Sequence, residues 1–145
     1  MAETIKIEIV TPERKLVSDT ATEITVPGRS GYLGILPGHA PLISELAVGE
    51  ISYRTPDGGS RYLACAWGFV EVLPDKVTIL AEVAERAEDI DIERAKAARV
   101  RAEAALRSSL GTAGEQAKLQ ADLERATTRV EIAGKINPAL ANLLP

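Results

Sequence analysis

The sequence predicts a chain of two parts, a β-rich domain over residues 1–86 followed by an α-helical domain over residues 87–145. Three observations point to this division. All five aromatic residues occur before residue 70, and no proline occurs between Ala81 and Ala133. Hydrophobic residues alternate one by one in the first part, whereas they recur every three or four residues in the second.

The first part contains short alternating segments that are typical of strands. Ile5, Ile7 and Ile9 share one face of the first segment, and residues 22–26 repeat the alternation. Residues 56–59, Pro-Asp-Gly-Gly, have the chemistry of a tight turn. Further strands are predicted at 48–54, 61–66, 69–73 and 77–83. Many short strands joined by tight turns favour an antiparallel sandwich or barrel.

The second part predicts an antiparallel pair of helices. Asp89 or Asp91 can cap the first helix. Its apolar positions have heptad-like spacing, at Ala95, Ala98, Ala102 and Ala105. Residues 111–114 interrupt the pattern, and it resumes at Leu119, Leu123, Ala126, Val130 and Ala133. Pro138 is predicted to end the second helix. Two helices joined by so short a break form a hairpin.

The first helix contributes mostly alanine to the predicted contact between the helices. Each buried methyl group stabilises by only about 0.8 kcal/mol. We therefore expect a hairpin that is marginal by itself and able to open or extend.

The composition excludes several functions. A net formal charge of −4 over 145 residues argues against binding of bulk nucleic acid, which favours a basic surface. The best apolar run, residues 63–70, is too short for a membrane span of about 18 residues. The first four residues lack the basic and apolar pattern of a signal peptide.

Reactive side chains are few. Cys65 is the only cysteine, so an internal disulfide is excluded and a reducing compartment is expected. We expect Cys65 to be a small buried residue. His39 is the only histidine, and no catalytic dyad, metal cluster or phosphate loop is readable in the sequence. A small β-barrel enzyme is therefore the least favoured function.

Three segments carry a family resemblance. Residues 31–42 read GYLGILPGHAPL, residues 67–72 read WGFVEV, and residues 75–81 read DKVTILA. Together with IVTPE at residues 9–13, and in this order along nearly the whole chain, they resemble the epsilon subunits of bacterial F-type ATP synthases.

The resemblance implies a fold and a role. The fold is an antiparallel β-sandwich of about ten strands followed by a two-helix hairpin. The role is that of a non-catalytic subunit of the rotating central stalk, on the cytoplasmic face of the bacterial plasma membrane. The sandwich binds the gamma subunit and the ring of c subunits. The hairpin can extend along gamma toward the alpha and beta subunits and inhibit ATP hydrolysis.

Some members of this family bind ATP in the folded hairpin as a regulatory ligand, with no other cofactor. Their sequence motif, together with the residues that accompany it just before the first helix and along both helices of the family fold, is matched in this sequence by Glu85, Ile90, Asp91, Arg94, Ala95, Arg101, Arg125 and Arg129. Arg94 and Arg101 are about 20° apart around a helix, and guanidinium groups suit phosphate oxygens. The alternative is that Asp91 only caps the helix and pairs with Arg94 three residues on.

The resemblance also implies that residues 30–39 form a loop that contacts the c ring, with Ser30, Gly31, Tyr32 and His39 as candidate contacts. Tyr32 departs from the family, because many relatives carry an acidic residue there. His39 is interpreted mainly as a turn residue. Trp67 and Phe69 are interpreted as core or sheet-face residues, with a gamma interface as the alternative.

A different class of function stays open at this point. The chain can also be interpreted as a free-standing β-domain with a coiled-coil arm that acts as a protein-interaction module. That hypothesis predicts a stable monomer that does not bind gamma, so co-purification with synthase subunits separates the two.

Overall fold

The computed structural model describes residues 3–136. Within that range it has eight strands and two helices: β1 (Ile5–Val10), β2 (Lys15–Ala21), β3 (Glu23–Gly28), β4 (Gly31–Ile35), β5 (Leu42–Leu46), β6 (Gly49–Arg54), β7 (Ser60–Val72), β8 (Lys76–Arg86), α1 (Ile92–Ser108) and α2 (Ala113–Ile136). A single 3₁₀ turn, Ala87–Asp89, precedes α1. The chain divides into two compact units between Arg86 and Ala87.

The eight strands form one continuous hydrogen-bonded sheet in the order β2-β1-β8-β7-β5-β3-β4, with β6 paired to both β3 and β7. Neighbouring strands are antiparallel, with the exception of β1 and β8, which run parallel. Tight turns between successive strands predicted antiparallel pairing throughout the sheet. That prediction is wrong for β1 and β8, because they are the first and last strands of the sheet. No hairpin turn sets their relative direction.

The inner face of this sheet encloses one hydrophobic core. Ile5, Ile7 and Ile9 are at most 1% exposed, which confirms the face predicted from their alternation. The same cluster includes Ile24, Ile51, Leu63 and Ile79 from the facing strands. Cys65 is buried in the cluster, as expected, and burial raises the pKa of its thiol to about 12.

Strand β7 is one strand of 13 residues where the sequence predicts two. Its residues 60–65 pair with β6 and its residues 68–72 pair with β5, so one edge of β7 serves two partners in turn. The change occurs at Trp67 and Gly68, whose φ angles are 59° and 130°. This continuity is one reason for eight strands where the resemblance implies about ten.

Three of the strands were not found by alternation. β2 has two consecutive buried residues, Leu16 and Val17, which interrupt the pattern. β4 lies within residues 30–39, the segment that the resemblance implies is a loop, and β5 follows it after Pro41. Both predicted helices are confirmed, with Ala95, Ala102 and Val130 buried along the predicted stripes. The predicted helix end at Pro138 lies outside the described residues.

Gly68→Ala is expected to destabilise the sandwich by about 3 kcal/mol or more. A Cβ atom at Gly68 would collide with the carbonyl oxygen of Leu80, and the left-handed backbone disfavours any side chain. The measurement is the free energy of urea unfolding, followed by fluorescence of Trp67, the only tryptophan.

Gly34→Ala is the matched control for that substitution. No atom lies within 4 Å of a Cβ built at Gly34, which is also a strand residue. Equal losses of unfolding free energy in the two variants would contradict the role given to the left-handed turn in β7.

Candidate functional site

The start of α1 holds four of the residues predicted to bind ATP. Asp91 is the N-cap, with a β-region backbone, and its Oδ1 accepts a hydrogen bond of 3.1 Å from the backbone N–H of Arg94. Ile90 and Ala95 are buried, while the Arg94 side chain is exposed. Asp91 thus caps α1, and the buried side chains of Ile90 and Ala95 contribute to packing.

The connection between the helices, residues 109–112, ends in a capping box. The backbone N–H of Thr112 donates to Glu115 Oε2, and the backbone N–H of Glu115 donates to Thr112 Oγ1, both at 3.2 Å. The pattern Thr-x-x-Glu was readable in the sequence as the start of α2. It fixes the position of the hairpin turn.

A cleft of about 380 Å³ lies between α1 and α2. Arg101 reaches it from α1, and Arg125 and Arg129 reach it from α2. Its other lining residues are Ala98, Ala102, Ala105, Leu119, Asp122 and Ala126. The structure therefore brings together three of the four arginines that the sequence singled out.

Two other residues predicted to bind ATP, Arg94 and Glu85, are not among the residues that line the cleft. Arg94 lies seven residues, about two turns, before Arg101 on α1. Glu85 lies on β8 in the N-terminal unit, in register with Ala64 of β7.

The cleft has the chemistry of a polyanion site. Its lining carries a net formal charge of +2, because three arginines outweigh one aspartate. Arg125 and Arg129 are one turn apart on α2, so their guanidinium groups share one side of the cleft. The alanines on α1 leave space between the helices. Guanidinium forks at this spacing suit the oxygens of a phosphate chain.

The sequence did not identify Asp122 as part of this cleft. It is half-buried and precedes Arg125 by three residues and Arg129 by seven, which places all three on one face of α2. That spacing was the available signal.

The segment predicted to contact the c ring is divided by a strand. Ser30 lies in the β3–β4 turn, Gly31 begins β4, and Tyr32 is the exposed second residue of that strand. The Tyr32 hydroxyl accepts a hydrogen bond of 3.1 Å from the backbone N–H of Glu50. Since residues 31–35 are a strand, the expectation of one continuous loop over residues 30–39 is wrong.

His39 follows the other end of β4. Its backbone N–H donates to the carbonyl of Leu36 at 3.1 Å, and its Nδ1 lies 2.7 Å from the carbonyl oxygen of Ala40. The N–H of Gly38 donates to the carbonyl of Pro74 at 2.8 Å, which ties this turn to the β7–β8 turn. These contacts agree with a turn role for His39.

The outer face of β5, β7 and β8 exposes large apolar side chains. Phe69 is 54% exposed and stands directly opposite Leu80, which is 53% exposed. Ile43 on β5 is 71% exposed, and Trp67 is also exposed. The sheet-face interpretation of Trp67 and Phe69 is confirmed, and neither belongs to the core. We call Ile43, Trp67, Phe69 and Leu80 the outer apolar face.

Charged residues border the outer apolar face on β1, β2 and β8. Glu8 lies 3.2 Å from the Nζ of Lys76 and 3.5 Å from that of Lys15. The hydrogen bond from Lys76 holds the pKa of Glu8 below its usual value. An apolar centre with a charged border is the usual anatomy of a protein interface.

Within residues 3–136, no three His, Cys, Asp or Glu side chains are grouped closely enough to hold a metal ion. In the same range neither helix is long and apolar enough to cross a membrane.

Comparison with protein families gives two adjacent matches. Residues 4–87 match the model described as ATP synthase, Delta/Epsilon chain, beta-sandwich domain. Residues 88–134 match the model described as ATP synthase, Delta/Epsilon chain, long alpha-helix domain.

Individual proteins are similar over most of their lengths. An ATP synthase epsilon chain of Koribacter versatilis is 62% identical over 109 residues, or 75% of this chain and 76% of that protein. An ATP synthase epsilon chain of Citrifermentans bemidjiense is 48% identical over 135 residues, or 93% of this chain and 97% of that protein.

Two solved structures share the fold at low sequence identity. A chain of the Euglena gracilis mitochondrial ATP synthase superposes with a TM-score of 0.76 at 22% identity, covering 99% of this chain and 83% of that one. A chain from the central stalk and c-ring structure of the Tetrahymena thermophila mitochondrial ATP synthase gives a TM-score of 0.65 at 11% identity, covering 89% and 96%.

Asp91→Ala is expected to lower the stability of the hairpin by about 1 kcal/mol, because it removes the cap of α1. Asp91→Asn is the matched control, since asparagine caps nearly as well and removes only the charge. The measurement is thermal unfolding followed by helical circular dichroism. Equal destabilisation by both substitutions would show that the charge, and not the cap, stabilises α1.

Proposed function

This chain belongs to the ATP synthase delta/epsilon family, and from that membership we propose that it is a non-catalytic subunit of the rotating central stalk. In this role it links the gamma subunit to the ring of c subunits. Its working place is the cytoplasmic face of the bacterial plasma membrane, as a peripheral component of the complex. The observation that best supports the proposal is the outer apolar face, which lies on the domain that matches the beta-sandwich model of this family.

The outer apolar face is the proposed gamma contact. An exposed group of four large apolar side chains is costly in water, and such patches mark interaction sites. Phe69 and Leu80 form a cross-strand pair at its centre, and aromatic anchors of this kind dominate binding energies. The free-standing interaction module is the weaker alternative, because the family matches extend over both domains.

The β3–β4 turn is the proposed c-ring contact. Arg29 and Glu45 form an exposed ion pair of 3.0 Å beside Ser30 and Gly31. Tyr32 presents an exposed ring whose hydroxyl is held by the backbone of Glu50. His39 lies beyond the other end of β4, so in this proposal it acts through the neighbouring turn.

The hairpin is the proposed regulatory element. The buried positions of its helices include the small residues Ala95, Ala102 and Ala126, each of which contributes little buried area. We expect helices that rely partly on such residues to adopt a second arrangement at a cost that a partner can offset. In the extended arrangement α1 and α2 reach toward the alpha and beta subunits and inhibit ATP hydrolysis.

ATP is the proposed ligand of the closed hairpin. Arg101, Arg125 and Arg129 line a cleft between α1 and α2, so a triphosphate there contacts both helices at once. A ligand that binds only the closed arrangement favours that arrangement in proportion to its differential affinity. The cleft supplies cations that bind phosphate, and its role is to sense ATP.

Phe69→Ser combined with Leu80→Ser is expected to reduce recovery of the gamma subunit about tenfold or more. Truncation of central interface residues costs about 2 kcal/mol each, and both side chains are exposed in the isolated chain. The measurement is the amount of gamma that co-purifies with the tagged chain from membranes in mild detergent.

Leu110→Ser is the control, because Leu110 is fully exposed and lies outside the sandwich. If the unaltered chain recovers no synthase subunits, the stalk function is wrong. If the double variant recovers as much gamma as the unaltered chain, another surface makes the contact.

Arg125→Ala and Arg101→Ala are each expected to weaken ATP binding at least about tenfold, because each removes a bidentate phosphate donor. The measurement is calorimetric titration of the isolated chain with ATP. Arg94→Ala, measured beside them, tests whether the ligand extends from the cleft toward the start of α1.

Arg99→Ala is the matched control, since Arg99 is on α1 but does not line the cleft. Absence of binding by the unaltered chain up to several millimolar ATP would remove the sensor function. The stalk function would stand, and the arginines would then be contacts for neighbouring subunits.

A further inference from the structure

The arginine cleft contains one acidic side chain. Among the nine lining residues, Asp122 alone carries a negative charge. It is half-buried, whereas the nearby Glu124 is exposed and lies outside the cleft. The carboxylate of Asp122 therefore belongs to the interior of the cleft and not to the solvated side of α2.

The position of Asp122 on α2 places it next to the phosphate-binding groups. Arg125 follows it by three residues and Arg129 by seven, so the three side chains share one helix face. Arg101 lines the same cleft from α1. In a partly buried cleft, charges interact more strongly than in water because the effective dielectric is lower.

We propose that Asp122 acts as an internal anion that sets the affinity of this cleft for nucleotide. Its carboxylate neutralises one of the three arginine charges when the cleft is empty, and repels the phosphate chain when ATP is bound. The inference rests on the proposed ATP site, whose affinity it explains. Asp122 thus determines affinity in this proposal: it lowers the affinity of the cleft for ATP and takes part in no reaction.

A purely structural role for Asp122 predicts the opposite sign. If its carboxylate mainly positioned the arginines, its removal would weaken the binding of ATP. If it mainly supported α2, its removal would lower helix stability and leave affinity per folded molecule unchanged. The direction of the change in affinity therefore separates these roles.

The test is calorimetric titration of the full chain with ATP, comparing Asp122→Asn with the unaltered protein. The expected result is about tenfold tighter binding of ATP, because the substitution removes a negative charge from the lining of the cleft. Tripolyphosphate lacks base and ribose, and the Asp122 variant is expected to bind it more tightly than the unaltered chain does. The difference is expected to shrink at high salt, because partly exposed charges are screened.

Glu124→Gln is the matched control, because it makes the same change in net charge on the same helix outside the cleft. Its affinity is expected to stay within about twofold of the unaltered chain, since an exposed charge is screened by solvent. If Asp122→Asn loses helical circular dichroism, Asp122→Ala serves instead, because alanine favours the helix.

Each outcome of the titration either supports or overturns the role proposed for Asp122. Tighter binding by the Asp122 variant supports the inference, including the case in which only the variant binds ATP measurably. Equal or weaker binding by the variant, beside measurable binding by the unaltered chain, overturns the inference and leaves the ATP site in place. Absence of binding in both overturns the inference together with the sensor function.

Discussion

The sandwich depends on one backbone turn inside its longest strand. Trp67 and Gly68 adopt left-handed angles, and there β7 leaves β6 and takes β5 as its partner. Gly68 also allows the carbonyl of Leu80 to approach the β7 backbone closely. Without this turn one edge of β7 could not serve two strands, and the core between them would stay open. A tryptophan held at positive φ is strained, and Trp67 is itself part of the outer apolar face.

Periodicity predicted the parts of the fold in which one side of an element is buried throughout. The alternation of Ile5, Ile7 and Ile9 and the heptad stripes of both helices are of this kind. It failed at β2, where consecutive residues are buried, at β4, which contains two glycines, and at β5, where Leu42 and Ile43 are both exposed. The parallel pairing of β1 with β8 is set by the tertiary fold, which no local pattern encodes.

The candidate site was predictable to the extent that spacing decides it. The family resemblance singled out Arg101, Arg125 and Arg129, and spacing placed Arg125 and Arg129 on one face of α2. Which turns of the two helices meet depends on the four-residue connection and on the capping box at Thr112, so the absence of Arg94 from the cleft could not be foreseen. Asp122 was not predicted because the family motif does not include it, although its spacing places it on the same face of α2 as Arg125 and Arg129.

The pairing of the first strand with the last has a consequence for synthesis on the ribosome. Central β1 cannot complete its ladder until β8 has emerged, so the sandwich forms as a unit and late, through contacts of high sequence separation. The helical hairpin follows it and depends on local contacts, which form fast. The order of the chain therefore allows the sandwich to form before the helical hairpin is complete, which limits the time in which an incomplete sheet edge is exposed to aggregation.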